Sequence, residues 1–422
     1  MSDFLPLERP KLEKRVDGYV LTWPDSGVAV EVERLTEGDN GPTCELTFYD
    51  IRGQAKLLFF TRLNLLYANG VSGVVKTLGT RRSNMDWHGV MEQMTFLVID
   101  HYRKGEPVID LRAVPQRTAT RWILEPYLEV DSPTVLFADG GIGKSTLALA
   151  MAVQVAGNVE RLVGRMHGLS GPVVYYDWES DPAIHAERFR AICAGVDLED
   201  KQPPVYYRRM VASLPEAAAS MRKDVEKYKA VLAIVDSMGA ARGGEPESAD
   251  STIRLFNAAR SLGVAWLGVD HVTKNGSEGG AKKPFGSAFT HNLARVTWGM
   301  ERTKEAGEDG SSVVCLTNHK ANHGRLQRPV TMRLHYLHGD DEELLAVYFR
   351  PEELNNTEFA DRAPLRERIL DELKGGAAKA TDIAEALGAD LHQVQTRLCD
   401  LRNRGVVISL TDRRWGLATN AK

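Results

Sequence analysis

The sequence predicts a protein of the α/β class, with a small α+β domain ahead of the main core and a helical domain behind it. Three observations predict this. Short apolar runs recur at Val135 to Phe137, Pro172 to Asp177, Ala230 to Asp236 and Val264 to Val269, with helical patterns between them; buried parallel strands alternating with helices read this way. Residues 18–49 instead alternate with period two around the turns PDSG and EGDNGP, as half-buried antiparallel strands do. Beyond Pro351 the composition shifts to short amphipathic helices broken by glycines, ending in an alternating tail.

The core is organised around Val135 to Leu149, VLFADGGIGKSTLAL, where an apolar run breaks into a glycine-rich turn and Lys144-Ser145-Thr146 opens an Ala/Leu-rich helix. This is the strand–loop–helix context of a phosphate-binding loop. Gly140, Gly141 and Gly143 leave room for backbone N–H groups to turn around a polyphosphate, and the helix N-terminus adds partial positive charge. Lys144 is placed to reach β- and γ-phosphates, Ser145 to hold Mg²⁺, and Thr146 to lie near the α-phosphate. Ala138 stands where the motif's first glycine would be. ATP and Mg²⁺ are the expected ligands.

Composition bounds the rest. The 422 residues suffice for two or three domains, and 43% hydrophobic content builds ordinary cores. A net charge of −4 advertises no overall attraction to nucleic acid, so any such partner must be held by local charge. The cysteines Cys44, Cys193, Cys315 and Cys399 are scattered, without metal-type pairing or a disulfide framework. No apolar run reaches membrane-spanning length and the first residues carry no signal-peptide pattern; a cytoplasmic protein with no membrane partner is expected.

In chain order, residues 1–15 read as a charged arm. Strands follow from Gly18 to about Tyr49, residues 57–67 fit either strand or helix, and Ser83 is placed to cap a helix reaching about Arg103. Residues 107–114 read as a short strand before a linker. The first domain is thus 1–115, with no zinc pairs, no primase-like acidic cluster and no legible role. Residues 116–352 form the ATP-binding domain, 353–363 a polar linker, and 364–422 three helices and a two-stranded wing. Trp122 to Leu124 and Tyr127 fit either contact with the base of a nucleotide or simple packing.

Acids and one histidine punctuate the strand ends. Glu179 follows the second strand, where a carboxylate can deprotonate an attacking water. Asp236 ends the run AVLAIVD and suits the Mg²⁺ shell beside Ser145. His271 ends the next strand, at the edge where open α/β sheets place their ligands. Two long loops follow these strands, Gly239 to Asp250 and Val272 to Ser287. The second carries Lys274, Lys282 and Lys283, suited to a nucleic-acid backbone.

This order of motifs resembles the RecA-fold ATPases, and within them the hexameric plasmid RepA-type replicative helicases and related phage proteins, over roughly Trp122 to Leu334. The resemblance implies a RecA-like P-loop core, a ring of six subunits, single-stranded DNA as a partner, and association with replication or mobile-element proteins. It implies that Glu179 is the catalytic base and that His271 matches the family's strand-end histidine. It also matches Arg295 and Lys320 to groups the family uses near the domain's end, across the subunit interface. The family's Lys-x-Arg pair is broken here, since Lys320-Ala321-Asn322 lacks the arginine, so Lys320, Arg295 and Arg325 all stand as trans-acting candidates. The C-terminal pattern resembles winged-helix domains, in which Arg397 and Arg402 would face nucleic acid along with His392, Gln393, Gln395 and Thr396. Two further readings share this fold: a recombinase-like or loader ATPase that remodels DNA without unwinding it, and a nucleotide-gated DNA-binding regulator.

Overall fold

The computed structural model describes residues 7–15, 18–105, 108–116, 122–130, 132–245, 248–272, 288–303, 310–354 and 357–418. Contacts divide the chain into two units, Met1–Thr118 with Ala219–Lys223, and the remainder.

In the first unit, β1 (Lys11–Arg15), β2 (Gly18–Trp23), β3 (Val28–Gly38), β4 (Gly41–Asp50) and β5 (Lys56–Asn64) form an antiparallel sheet in sequence order. Strict alternation along β2, β3 and β4 turns Leu21, Trp23, Val30, Val32, Leu46 and Phe48 to one face. That face is covered by Leu78 of α1 (Ala68–Arg81) and by Val90, Met91, Met94 and Val98 of α2 (Trp87–Lys104). The expected arm is therefore partly a strand, because residues 11–15 pair with β2. Residues 57–67 resolve mainly as strand. The cap of α2 is Asp86, which accepts from the Gly89 amide, and not Ser83. Helix α1 escaped the sequence reading because Gly70, Gly73 and Gly79 dilute its propensity. The strand expected over 107–114 is absent among its described residues; Leu111–Ala113 make a 3₁₀ turn started by Asp110, and Val108, Ile109 and Leu111 are exposed.

The second unit begins with the small hairpin of β6 (Trp122–Glu125) and β7 (Leu128–Glu129). The core then runs β8 (Pro133–Ala138), α3 (Lys144–Gly157), β9 (Arg165–Met166, paired with β6), β10 (Val173–Asp177), α4 (Pro182–Ala194), β11 (Val205–Arg209) and α5 (Leu214–Tyr228). It continues through β12 (Leu232–Asp236), α6 (Met238–Ala241), α7 (Ala249–Arg260), β13 (Ala265–His271), α8 (Ala288–Leu293), β14 (Val296–Arg302), β15 (Ser312–Ala321), β16 (Val330–His338) and β17 (Leu344–Glu352). Nine of these strands make one sheet in the order β11-β10-β12-β13-β8-β14-β15-β16-β17. The first six are parallel and the last three antiparallel. Every residue of β8, β10 and β12 is buried, which is why these strands read as unbroken apolar runs. Strand β11 was not anticipated: as a half-exposed edge strand, VYYRR lacks such a run.

The loop expected from Gly239 opens instead as the single turn α6, followed by the fully buried Arg242. Within the linker expected over 353–363, the described residues 357–363 lie against the core, with Phe359 and Ala363 buried and Arg362 paired with Glu301. Beyond it come α9 (Leu365–Lys374), β18 (Ala378–Lys379), α10 (Ala380–Ala386), α11 (Leu391–Asn403), β19 (Val407–Ser409) and β20 (Arg414–Leu417). Their three strands pair in the order β18-β20-β19, over a core of Ile369, Leu373, Ile383, Val394, Leu398, Leu401 and Val407. Among the described residues no helix is long and apolar enough to cross a membrane.

Candidate active site

Strand register assembles the site. Asp177 pairs with Asp236 across β10 and β12, Asp236 with Val269 across β12 and β13, and His271 with Ala138 across β13 and β8. The carboxyl ends of four adjacent parallel strands therefore lie level, and the loops leaving them share one cleft. That cleft of about 420 Å³ is lined by residues 141–146, Glu179, Ser180, Arg188, Asp236, His271, Arg302, Ser312 and Tyr336.

The phosphate loop turns through Gly141 and Gly143, both in the left-handed region at φ 74° and 97°, where a side chain would be strained. Lys144 is buried, and its Nζ donates to the carbonyls of Ala138 at 2.9 Å and Asp139 at 2.7 Å. Burial holds its ammonium below the ordinary lysine range, opposed by the charges of Asp236, Glu179, Asp270 and Asp139. Ser145 hydrogen-bonds the Asp236 carboxylate, which also accepts from the Tyr175 hydroxyl at 2.6 Å. Burial raises the Asp236 pKa, and these two donors pull it back. A hydroxyl and a carboxylate in contact form a hard-oxygen donor pair, which suits Mg²⁺ completing its shell with water and phosphate.

Glu179 is exposed at the cleft. One of its oxygens accepts from the Ser237 hydroxyl and lies 3.6 Å from His271 Nε2. Behind His271, Asp270 is fully buried with Arg242 Nη2 3.8 Å away, and burial pushes its carboxyl up to about 7. The expected set of Gly140, Gly141, Gly143, Lys144, Ser145, Thr146, Glu179, Asp236 and His271 thus stands at one sheet edge.

Other expectations fall elsewhere. Ile123, Leu124 and Tyr127 are buried in the core, with Tyr127 edge-on to Trp298 at 5.0 Å; they do not line the cleft. The aromatic ring that does is Tyr336 of β16, whose hydroxyl would meet a Cβ at Gly143 at 3.4 Å. Arg188 and Arg302 also line the cleft. Sequence reading missed all three, since β14 and β16 enter the site only through sheet pairing; Arg188 alone left a signal, nine residues after Glu179 on the next helix.

Arg295 and Lys320 lie outside the cleft. The Arg295 amide donates to the carbonyl of Pro133, the first residue of β8, at the sheet edge opposite the phosphate loop. Lys320 Nζ donates to the carbonyls of His291 at 2.9 Å and Asn292 at 2.7 Å. Lys320 and Arg260 are both held below their ordinary pKa, first by burial and then by the charge of Arg295. Three cations therefore gather there. Lys274, Lys282 and Lys283 lie outside the described residues. In the C-terminal elements Arg397 pairs with Asp400 at 3.3 Å, and Arg402 stacks over Trp415. Both arginines are exposed on α11.

A parallel-rich sheet of this order, with a phosphate loop after its central strand and strand-end carboxylates beside it, fits a RecA-like P-loop core. A family model described as an AAA domain matches residues 94–277. Among solved structures, the chain is similar to a KaiC-like protein from the hyperthermophilic archaeon Pyrococcus horikoshii OT3, at 12% identity and a TM-score of 0.39, over 56% of this chain and 100% of that one.

Proposed function

We propose that this chain is an ATP-driven DNA motor, a replicative helicase of the plasmid RepA type that works as a hexameric ring on single-stranded DNA in the cytoplasm. The observation that carries this reading is the division of charge across one sheet. The base and the Mg²⁺ ligands stand at one edge, and Arg260, Arg295 and Lys320 gather at the other. A cation cluster remote from its own cleft suits a site completed by the next subunit around a ring.

In this reading Lys144 exchanges its two carbonyl partners for β- and γ-phosphate oxygens, and Glu179 takes the proton of the attacking water. His271 sits beside the γ-phosphate and couples its loss to Glu179 and to the following loop. Mg²⁺, held by Ser145 and by Asp236 through water, would neutralise charge developing between the β- and γ-phosphates. Tyr336, with Arg188 and Arg302, offers a surface for base and ribose. The C-terminal elements follow the winged-helix order, and α11 exposes His392, Gln393, Gln395, Thr396, Arg397 and Arg402.

Strand displacement measured together with oligomeric state tests the proposal. ATP-dependent unwinding by a ring-sized assembly is expected. DNA-stimulated hydrolysis without unwinding would favour the remodelling or loader reading, and duplex binding that survives only with residues 364–422 would favour the regulator. The loop lysines give a second measurement. Replacing Lys274, Lys282 and Lys283 with alanine should flatten the log–log salt dependence of single-strand binding by up to about two units, at roughly 0.7 per neutralised phosphate. Basal hydrolysis should survive while its stimulation by DNA falls; an unchanged slope would remove these lysines from the binding path.

A further inference from the structure

The turn that carries Glu179 is short, and it is pinned at both ends. Strand β10 stops at Asp177, and α4 starts behind its cap Asp181, which accepts from the Ala183 amide at 2.7 Å. Between them, the Trp178 amide donates to the Asp236 carbonyl at 2.7 Å and its indole N–H to the Ala212 carbonyl at 2.9 Å. The Glu179 and Ser180 amides both point back to the Asp177 carboxylate, at 2.9 Å and 3.1 Å. Glu179 itself is exposed, so packing does not fix its side chain; its backbone is fixed by what holds Asp177.

Asp177 is almost wholly buried, 1% exposed. A carboxylate at that depth persists only if it is fully supplied with donors. Besides the two amides it accepts from the Tyr207 hydroxyl at 2.9 Å, and His185 Nε2 lies 3.0 Å from the same oxygen. Tyr207 also reaches the Ser180 carbonyl at 3.3 Å, gripping the turn a second time. The His185 ring packs against Tyr175 at 4.8 Å and Tyr207 at 5.1 Å, and Tyr175 bonds Asp236. Burial works against the charge on Asp177, yet His185, the Glu179 amide and Tyr207 together hold its pKa below the ordinary aspartate value.

We propose that Asp177, braced by Tyr207 and His185, is a positioning residue that sets the catalytic base Glu179 against the Asp236 edge of the site. The proposal rests on the assignment of Glu179 as the base. Asp177 touches no reacting atom. It orients the peptide from which Glu179 projects, and the aromatic pair ties that peptide to the strand bearing Asp236. A base displaced by even a fraction of an ångström loses much of its effect.

Tyr207→Phe is the mild test, because it removes one hydroxyl from a ring that keeps its packing. His185→Asn is the second variant. Each is measured alone and combined with Glu179→Gln, for kcat, for KM, for affinity towards a fluorescent ATP analogue, and for thermal unfolding. The expected result is a fall in kcat of about tenfold or more for each single variant, with analogue affinity nearly unchanged. In the Glu179→Gln background the same substitutions should cost nothing further, because the group they position is already lost. Equal losses in both backgrounds, losses confined to KM and affinity, or an unaltered kcat would each overturn the proposal. A Glu179→Gln variant that turns over at the wild-type rate would instead remove the base assignment beneath it, and that outcome is read without either positioning variant.

Discussion

Glu179→Gln is expected to bind ATP as tightly as the native chain and to hydrolyse it about 10²–10⁴-fold more slowly, the weight of a positioned base. The substitution is close to isosteric, and the amide oxygen can still accept from Ser237, so the turn keeps its shape. What it loses is the capacity to take a proton. Because Glu179 is exposed at the cleft, removing its charge leaves no buried partner stranded and stability should barely move. Lys144→Ala should behave differently. It deletes the ammonium meant for the phosphates and should weaken nucleotide affinity itself. Equilibrium binding of an ATP analogue with single-turnover hydrolysis separates the two, and native turnover by the glutamine variant would refute the role given to Glu179.

The parts of this site legible in the sequence are those written as short local patterns. The phosphate loop needs its glycines, lysine and hydroxyl within a few residues, and Asp236 announces itself at the end of a buried strand. Asp177 stood in plain sight two residues before Glu179, but its role depends on Tyr207, which lies on an edge strand that the sequence hid. Tyr336 and Arg302 reach the cleft from β16 and β14, separated from the phosphate loop by well over a hundred residues. No spacing rule links them; only the strand order does. The same limit explains the first unit, where strict alternation exposed the sheet but the glycine-rich α1 did not look helical. Of the two readings open for the residues near Trp122, packing holds for Tyr127, because proximity in sequence to the phosphate loop is not proximity to its ligand.

Arg295→Ala is expected to retain ATP binding and to lose about 10³–10⁵-fold in hydrolysis, the range for an arginine supplied to a neighbour's phosphates. Three candidates entered from the sequence, and their surroundings rank them. Lys320 donates to the carbonyls of His291 and Asn292, so reaching a neighbour would require it to exchange both bonds. Arg325 is exposed in the segment after β15. Arg295 is exposed at the centre of the cluster, where it lowers the pKa of both Lys320 and Arg260. Like charges gathered at one point are relieved by an anion, and a neighbour's triphosphate is such an anion. Mixing tests this directly. In a randomly mixed ring of Arg295→Ala and Glu179→Gln subunits, about a quarter of the interfaces would join an intact base to an intact arginine. Hydrolysis in the mixture should therefore rise well above that of either parent. If mixed assembly is confirmed and no activity returns, Arg295 does not act across the interface. Rescue by Lys320→Ala subunits in its place would pass the role to Lys320.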